Sequence, residues 1–444
     1  MIDGVMIGRL FILFPLALAA QTTTGTLNLY PPDSATEQVE LNQAINEANN
    51  SPIDLTRGLE QHLSKYPNSP QRSAIEAQLY KTAAEGNDGP RIILYGEKLL
   101  AANPTDELGI LDRVTRALVA IDDPESQRQA LVYARRHQAS VAAFRARPPE
   151  GHTTAAQWAD LADRALARGL IVEARAAGNL GNAEDAVAAA RRSWDALPSA
   201  EAAHEMARWL VKLGREAEAL DHYADAVTIN DPRALWDDRD ADRKTASALY
   251  VKLHGSEEGL GDLFLHGWNR AAAALTARVA RYKAIDRNYN LTDMFQFVLP
   301  SLDAKAKGPT MAALNSAALD MATLKGKTLV MDFWATWCGP CIAQQPLIEH
   351  VMQKYAKDAD VVLLSLNADD DRSLIAPFLK AQKWNQRVYP EAGLAGLLSV
   401  TSLPTILVID PAGKIHSRMP GYSPDIFERM LSARIDEARA ARTH

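Results

Sequence analysis

Thr328-Leu-Val-Met-Asp-Phe-Trp-Ala-Thr-Trp-Cys-Gly-Pro-Cys341 is the stretch on which the reading of this chain turns, because it joins a strand-like run to the two cysteines of the sequence. The run from Thr328 to Trp334 has the apolar and aromatic content of a buried strand, and the cysteines follow at Cys-X-X-Cys spacing. A strand that ends in this motif and opens a helix sets the first sulfur among unpaired backbone N–H groups. There the positive end of the helix dipole favours thiolate over thiol. Cys338 is therefore the expected nucleophile and the expected accessible thiol. Cys341, one helical turn on, is placed to attack the mixed disulfide that Cys338 forms and to release the reduced substrate.

A structural disulfide is the plain rival for paired cysteines in an exported protein. Closing a loop of about four residues contributes on the order of 2 kcal/mol, against ~4.7 for a hundred-residue loop, so the pair is poorly placed as a staple. A structural zinc site needs further ligands, and the histidines are scattered without paired metal-ligand spacing. Redox chemistry is the preferred reading, with no metal and no cofactor.

Other features accompany the motif. Pro346 stands five residues past Cys341, followed by the run Val361-Val-Leu-Leu-Ser-Leu-Asn367, an acidic turn and helix from Asp369 to Gln382 that contains Phe378, and Ser402-Leu-Pro-Thr405. From Leu324 onward this order resembles thioredoxins, and within them the extracytoplasmic branch that includes the TlpA and ResA proteins. The resemblance implies an α/β thioredoxin fold in which Cys338 and Cys341 form the redox-active disulfide. Trp337, Gly339, Pro340, Leu403 and Pro404 then shape the substrate contact. Pro404 falls at the place of that family's cis-proline, and the backbone of Leu403 is expected to pair with an extended substrate. An ordinary trans proline is the alternative. Thr405–Ile409 and Lys414–Met419 read as a β-hairpin across the turn Asp410-Pro-Ala-Gly413, and a helix from Pro424 to Ala441 closes the domain.

The chain departs from that branch at two places. Many of its members have a glutamate three residues after the second cysteine, where this chain has Gln344. Conversely Asp332, six residues before Cys338, stands where cytoplasmic thioredoxins have a buried aspartate. Strand alternation puts Asp332 on the face opposite Met331 and Phe333, in apolar surroundings. Burial there is expected to raise its pKa and suit it to handle the proton of the resolving cysteine. A hydrogen-bonded structural aspartate is the alternative.

At 444 residues the chain exceeds the size at which one core keeps growing, so several domains are expected. A net charge of −7 and the absence of basic runs with interleaved aromatics argue against nucleic acid as a partner. Met1 to Gln21 combines Arg9, the apolar run Leu10–Leu18 and Ala17-Leu-Ala19, the pattern of a secretory signal. An uncleaved anchor is its competitor, although an apolar core of ~9 residues falls short of the ~20 a spanning helix needs.

From Leu55 to Asp286 the pattern is helical and rich in alanine and leucine. Two segments are self-similar: Ala174, Gly181, Ala186 and Pro198 are matched by Ala207, Gly214, Ala219 and Pro232 at an offset of 33 to 34 residues. This period resembles the tetratricopeptide repeat, in which small residues let the helices of each hairpin approach closely. The resemblance implies a binding platform; a generic helical bundle is the alternative. Trp158, Trp194, Trp209, Trp236 and Trp268 are expected in the core, and Asp369-Asp370-Asp371 as a turn capping the adjoining helix.

The expected organisation is a signal peptide at 1–20, an extended lead-in at 21–54, a helical-repeat domain at 55–285, a linker with a possible edge hairpin at 286–323, and a thioredoxin-like domain at 324–444. The expected activity is extracytoplasmic reduction of protein disulfides, apocytochrome c among the substrates the resemblance implies. It needs an electron donor that the sequence does not name, and a protein partner is expected on the repeats. With the leader removed, no stable membrane span remains. Two rivals stay open: a non-catalytic repeat adaptor or envelope chaperone, and an oxidant or isomerase on the same fold.

Overall fold

Capping residues and left-handed turns divide the described residues from Ala35 to Ile285 into helices. The computed structural model describes residues 35–102, 106–147, 149, 153–229, 239–302, 317–384 and 386–441. The leader at 1–20, Pro232 and Trp236 lie outside the described residues. Among the described residues no helix is long and apolar enough to cross a membrane.

Contacts group the chain into two compact units, divided between Ala117 and Leu118. The first contains α1 (Ala35–Glu47), α2 (Pro52–Lys65), α3 (Arg72–Gly86), α4 (Gly89–Ala101) and most of α5 (Glu107–Val119). Ser51 caps α2 by accepting from the Asp54 N–H, and Asp88 caps α4 by accepting from the Arg91 N–H. Such caps satisfy backbone donors that the first turn leaves unpaired. Leu41, Leu59, Leu63, Ile75, Leu79 and Tyr95 form the core of this unit. Residues 35–47 therefore correct the expected extended lead-in. Their Glu, Gln, Leu and Ala are good helix formers, and the fully buried Leu41 supplies the tertiary contact that a short helix needs.

The second unit holds a helical layer followed by a mixed sheet. The layer contains α6 (Pro124–Ala146), α7 (Ala155–Asn179), α8 (Ala183–Ala196), α9 (Ala200–Lys212), α10 (Glu216–Thr228), α11 (Arg239–His254) and α12 (Leu260–Ile285). Its two self-similar segments turn in the same way. Between α7 and α8, Asn182 N–H donates to Ala177 O and Gly181 N–H to Gly178 O, both at 2.9 Å. Between α9 and α10, Arg215 N–H donates to Leu210 O at 2.9 Å and Gly214 N–H to Val211 O at 3.0 Å. Gly181 and Gly214 take positive φ, +90° and +75°, the conformation this helix ending requires. Ala174, Ala186, Ala207 and Ala219 are all fully buried. Trp158 and Trp209 are core residues, whereas Trp268 is 55% exposed, against expectation. Gly267 turns its face of α12 onto Ala224, where a Cβ would lie 2.8 Å from backbone. Trp268, about 100° further round the helix, is thereby directed away from that contact.

The sheet part begins ahead of the expected limit at 324. The Asn288 side chain pairs with Val298 like a neighbouring strand, its amide donating to Val298 O at 3.0 Å and its carbonyl accepting from Val298 N–H at 2.9 Å. β1 (Val298–Leu299) runs antiparallel to β2 (Leu319–Asp320). Met294, Phe297, Leu299 and Met321 enter the same core as Leu329, Met331 and Phe333. The β1–β2 pair falls where an edge hairpin was expected as possible, while the described part of the stretch expected as a linker also contributes buried apolar side chains.

The main sheet comprises β3 (Thr328–Trp334), β4 (Val361–Asn367), β5 (Val388–Pro390), β6 (Thr405–Ile409) and β7 (Ile415–Pro420), in the order β5-β4-β3-β6-β7. β3 pairs parallel with β4 and antiparallel with β6, and every residue of β3 is buried. One sheet face carries the core just described; on the other, Val330, Ile406 and Val408 pack with side chains of α13 (Gly339–Lys354) and α16 (Pro424–Ala440). Between β4 and β6 lie α14 (Ile375–Gln382) and the single turn α15 (Leu394–Leu397).

Removing a large buried apolar side chain costs about 2–5 kcal/mol. A fragment starting at Asp286 should therefore give a cooperative thermal transition by circular dichroism. One starting at Pro300, without Met294, Phe297 and Leu299, should show none. Equal melts for the two fragments would show that residues 286–299 are not needed for the fold.

Candidate functional site

The site is built where β3 runs out. Cys338 is the N-cap of α13, and its sulfur accepts from the Cys341 N–H at 3.3 Å. Pro340 occupies the first turn of the helix, where its missing N–H has no intrahelical partner to lose. Cys338 and Cys341 are joined as a disulfide with their Cα atoms 5.3 Å apart. Each is 4% exposed, so in this oxidised form accessibility does not separate them, contrary to the expectation for Cys338. The disulfide holds both sulfurs against the same apolar wall of Trp334, Ala335, Ile375, Leu379 and Val388. What distinguishes Cys338 is its place at the helix N-terminus.

Trp337, Gly339 and Pro340 lie exposed beside the disulfide, Trp337 at 70%. The half-buried Leu403 packs against the cysteine cluster. Its peptide bond to Pro404 is cis, and Pro404 O accepts from the Gly421 N–H at 2.8 Å. The structure thus brings Leu403, some sixty residues on in sequence and joined to the cis Pro404, to the cysteines.

Behind the disulfide, Val330, Asp332 and Trp334 share one face of β3. Val330 packs with Ile348 and Val351 of α13, and Trp334 with the two cysteines. Asp332 lies between these clusters, flanked in the sheet by Ser365 and Ile406, and is 3% exposed. Burial alone pushes its carboxyl up from 3.8 to about 7, as expected when no cation compensates the desolvation. Gln344 is equally enclosed on α13, and neither its amide nitrogen nor its oxygen has a hydrogen-bond partner among the described residues.

Several supporting residues are not legible in the sequence. The Trp334 indole N–H donates to Ser365 Oγ at 2.8 Å, and the Gln386 amide donates to the same oxygen at 3.2 Å. The Gln345 amide donates in turn to Gln386 Oε1 at 2.5 Å. Phe378 and Trp384 flank Trp334, with ring centroids 5.7 and 5.1 Å away. Ser365 is the available signal, since a polar residue inside an apolar strand needs a partner once buried. Asp369, expected as part of a helix cap, instead accepts from the Thr336 N–H and hydroxyl, while Asp371 caps the turn Arg372–Leu374.

Comparison with known proteins gives a match to the Redoxin family model over residues 303–430. The thiol-disulfide oxidoreductase ResA of a Bacillus cereus strain is 32% identical over 110 residues, which make up 24% of this chain and 63% of that protein. A thioredoxin of Chlorobaculum thiosulfatiphilum is 30% identical over 111 residues, 25% of this chain and 79% of that protein. The chain therefore spans 63% of the length of the ResA relative but 79% of the thioredoxin. Among solved structures, a thioredoxin family thiol:disulfide interchange protein from Chlorobium tepidum TLS is 21% identical, with a TM-score of 0.26, covering 31% of this chain and 92% of the other.

The raised carboxyl makes stability depend on pH. The unfolded chain releases the Asp332 proton near 3.8 and the folded chain near 7, so between those values the folded state holds the extra proton and stability falls as pH rises. The cost is absent below this interval and complete above it, on the order of 4 kcal/mol. Asp332→Asn should thus raise the Tm of the oxidised protein at pH 8 and change it little at pH 4. The same Tm difference at both pH values would show that the carboxyl titrates normally.

Proposed function

The chain belongs to the thioredoxin family, and from that premise we propose that it is an extracytoplasmic thiol–disulfide oxidoreductase that reduces protein disulfides. The observation that carries the reading is the Cys338–Cys341 disulfide at the N-terminus of α13, which follows the strand that holds the buried Asp332 carboxyl, pushed up by burial to about 7. The names of the ResA and thioredoxin relatives support it. Export rests on the leader read in residues 1–20.

In the reduced protein, the Cys338 thiolate attacks one sulfur of a substrate disulfide. A Cys338–substrate S–S bond forms, the substrate S–S bond breaks, and the released substrate sulfur takes up a proton. Cys341 then gives its proton to the Asp332 carboxylate and attacks Cys338 Sγ. This re-forms the Cys338–Cys341 bond and frees the second substrate sulfur, which is protonated in its turn. The substrate gains two electrons and the protein loses two; a dithiol donor restores them by the reverse exchange. Gly339-Pro340 between the cysteines resembles the reducing members of the family, which favours this direction. Trp337, Leu403 and Pro404 supply the contact surface for the substrate chain. The α7/α8 and α9/α10 hairpins, repeated at an offset of 33 residues, serve as the platform for a client or partner protein.

Insulin reduction followed by turbidity tests the activity. Wild type should reduce insulin, Cys338→Ser should be inactive, and Cys341→Ser should accumulate mixed disulfides with clients. A wild type that leaves insulin intact would sink the oxidoreductase reading.

Proton transfer is tested separately. With Asp332→Asn the rate of mixed-disulfide resolution should fall by about a hundredfold, the low end of what a positioned acid–base group contributes, and should lose its inflection near pH 7. Superimposable pH–rate profiles for wild type and variant would remove Asp332 from the mechanism.

A further inference from the structure

We propose that Asp369 is a positioning residue that fixes the turn carrying Trp337 and Cys338, and through it the setting of the attacking sulfur. The inference rests on the thiol–disulfide exchange proposed above. β3 leaves the sheet through a tight turn in which Cys338 N–H donates to Ala335 O at 3.1 Å. Thr336 and Trp337 are its two central residues. Trp337 extends 70% exposed, so little packing holds it, and the geometry of the turn depends on Thr336.

Thr336 is held from the end of β4. Its N–H donates to Asp369 Oδ2 at 2.9 Å and its hydroxyl to Oδ1 at 2.7 Å. The carboxylate is fixed by the buried Asn367, whose amide donates to Oδ2 at 2.6 Å and whose carbonyl oxygen accepts from the Asp369 N–H at 3.0 Å. One more bond, Ala368 N–H to Trp334 O at 2.8 Å, extends the pairing of β3 and β4 to the base of the turn. Asp369 therefore accepts three hydrogen bonds, and two of them reach the residue that sets the turn. Charge-assisted bonds of this kind are about twice as strong as neutral ones.

The consequence reaches the sulfur through the helix cap. Cys338 Sγ accepts from the Cys341 N–H, and that bond favours an anionic sulfur more than the neutral sulfur of a disulfide. A loosened turn takes Cys338 out of the cap, so the reduced form loses more than the oxidised form. Freeing Thr336 should shift the Cys338–Cys341 couple toward the disulfide and slow attack by Cys338.

The test compares full-length wild type with Asp369→Ala, Asp369→Asn and Thr336→Val. Asparagine keeps the geometry without the charge. Its oxygen can accept from the Thr336 N–H and the Asn367 amide, and its amide can donate to the Thr336 hydroxyl. Equilibration with glutathione should shift toward the disulfide by about threefold to tenfold in Asp369→Ala, with a similar fall in the alkylation rate of Cys338. Asp369→Asn should stay within about twofold of wild type, and Thr336→Val, which removes one bond of three, should lie between them. Thr336→Val carries the test if the alanine variant does not fold. An unchanged equilibrium in Asp369→Ala would overturn the proposal. So would an equal shift in Asp369→Asn, which would assign the effect to charge rather than geometry. Glutathione is a small disulfide, so a wild type that equilibrates with it but fails on insulin refutes protein-disulfide reduction without obscuring the comparison at Asp369.

Discussion

The burial of β3 on both faces is the constraint on which the rest of the sheet domain depends. All seven of its residues are buried, and its two faces do different work. Leu329, Met331 and Phe333 fix one core, while Val330, Asp332 and Trp334 look toward α13. A one-residue slip of this strand would exchange those sets and put the carboxyl into the opposite core. Pairing with β4 on one side and β6 on the other excludes the slip, and so fixes where the strand ends and where the cysteines begin.

The chemistry then follows from the surroundings of that end. Among the described residues no cation compensates Asp332, and its raised pKa is the direct result of desolvation. The helix N-terminus acts in the opposite sense on Cys338, where it favours the anion. Both effects act at the end of β3, and the proposed exchange assigns attack to Cys338 and proton uptake to Asp332. The segment between β4 and β6 completes the site. Phe378 and Trp384 wall Trp334, Ser365 and Gln386 bind its indole side, and Asp369 ties down the turn after β3.

The helical layer repeats one local solution. Both hairpins α7/α8 and α9/α10 turn at a glycine with positive φ and close with the same pair of backbone hydrogen bonds. Between the hairpins, the Trp209 ring fills the space a Cβ on Gly178 would occupy, 2.2 Å away. Small residues thus decide how closely the helices approach.

By itself the sequence determined the features that depend on local pattern. The mostly apolar run of β3, the Cys-X-X-Cys spacing, the β6–β7 hairpin and the offset of Gly181 and Gly214 were all legible, because each is set by residue type and separation along the chain. Helix α1, hidden in a polar composition, was not, since Leu41 becomes a core residue only against α2 and α3. Nor was the true start of the sheet domain, because Met294, Phe297 and Leu299 reveal their role only when β1 and β2 close over the core. Asp369 is the sharpest case. In sequence it opens an acidic turn and looks like a cap for the next helix, but parallel pairing of β3 and β4 brings it beside Thr336, 33 residues earlier. A hydrogen bond between distant segments is fixed by strand register, and register is a property of the assembled sheet rather than of either strand alone.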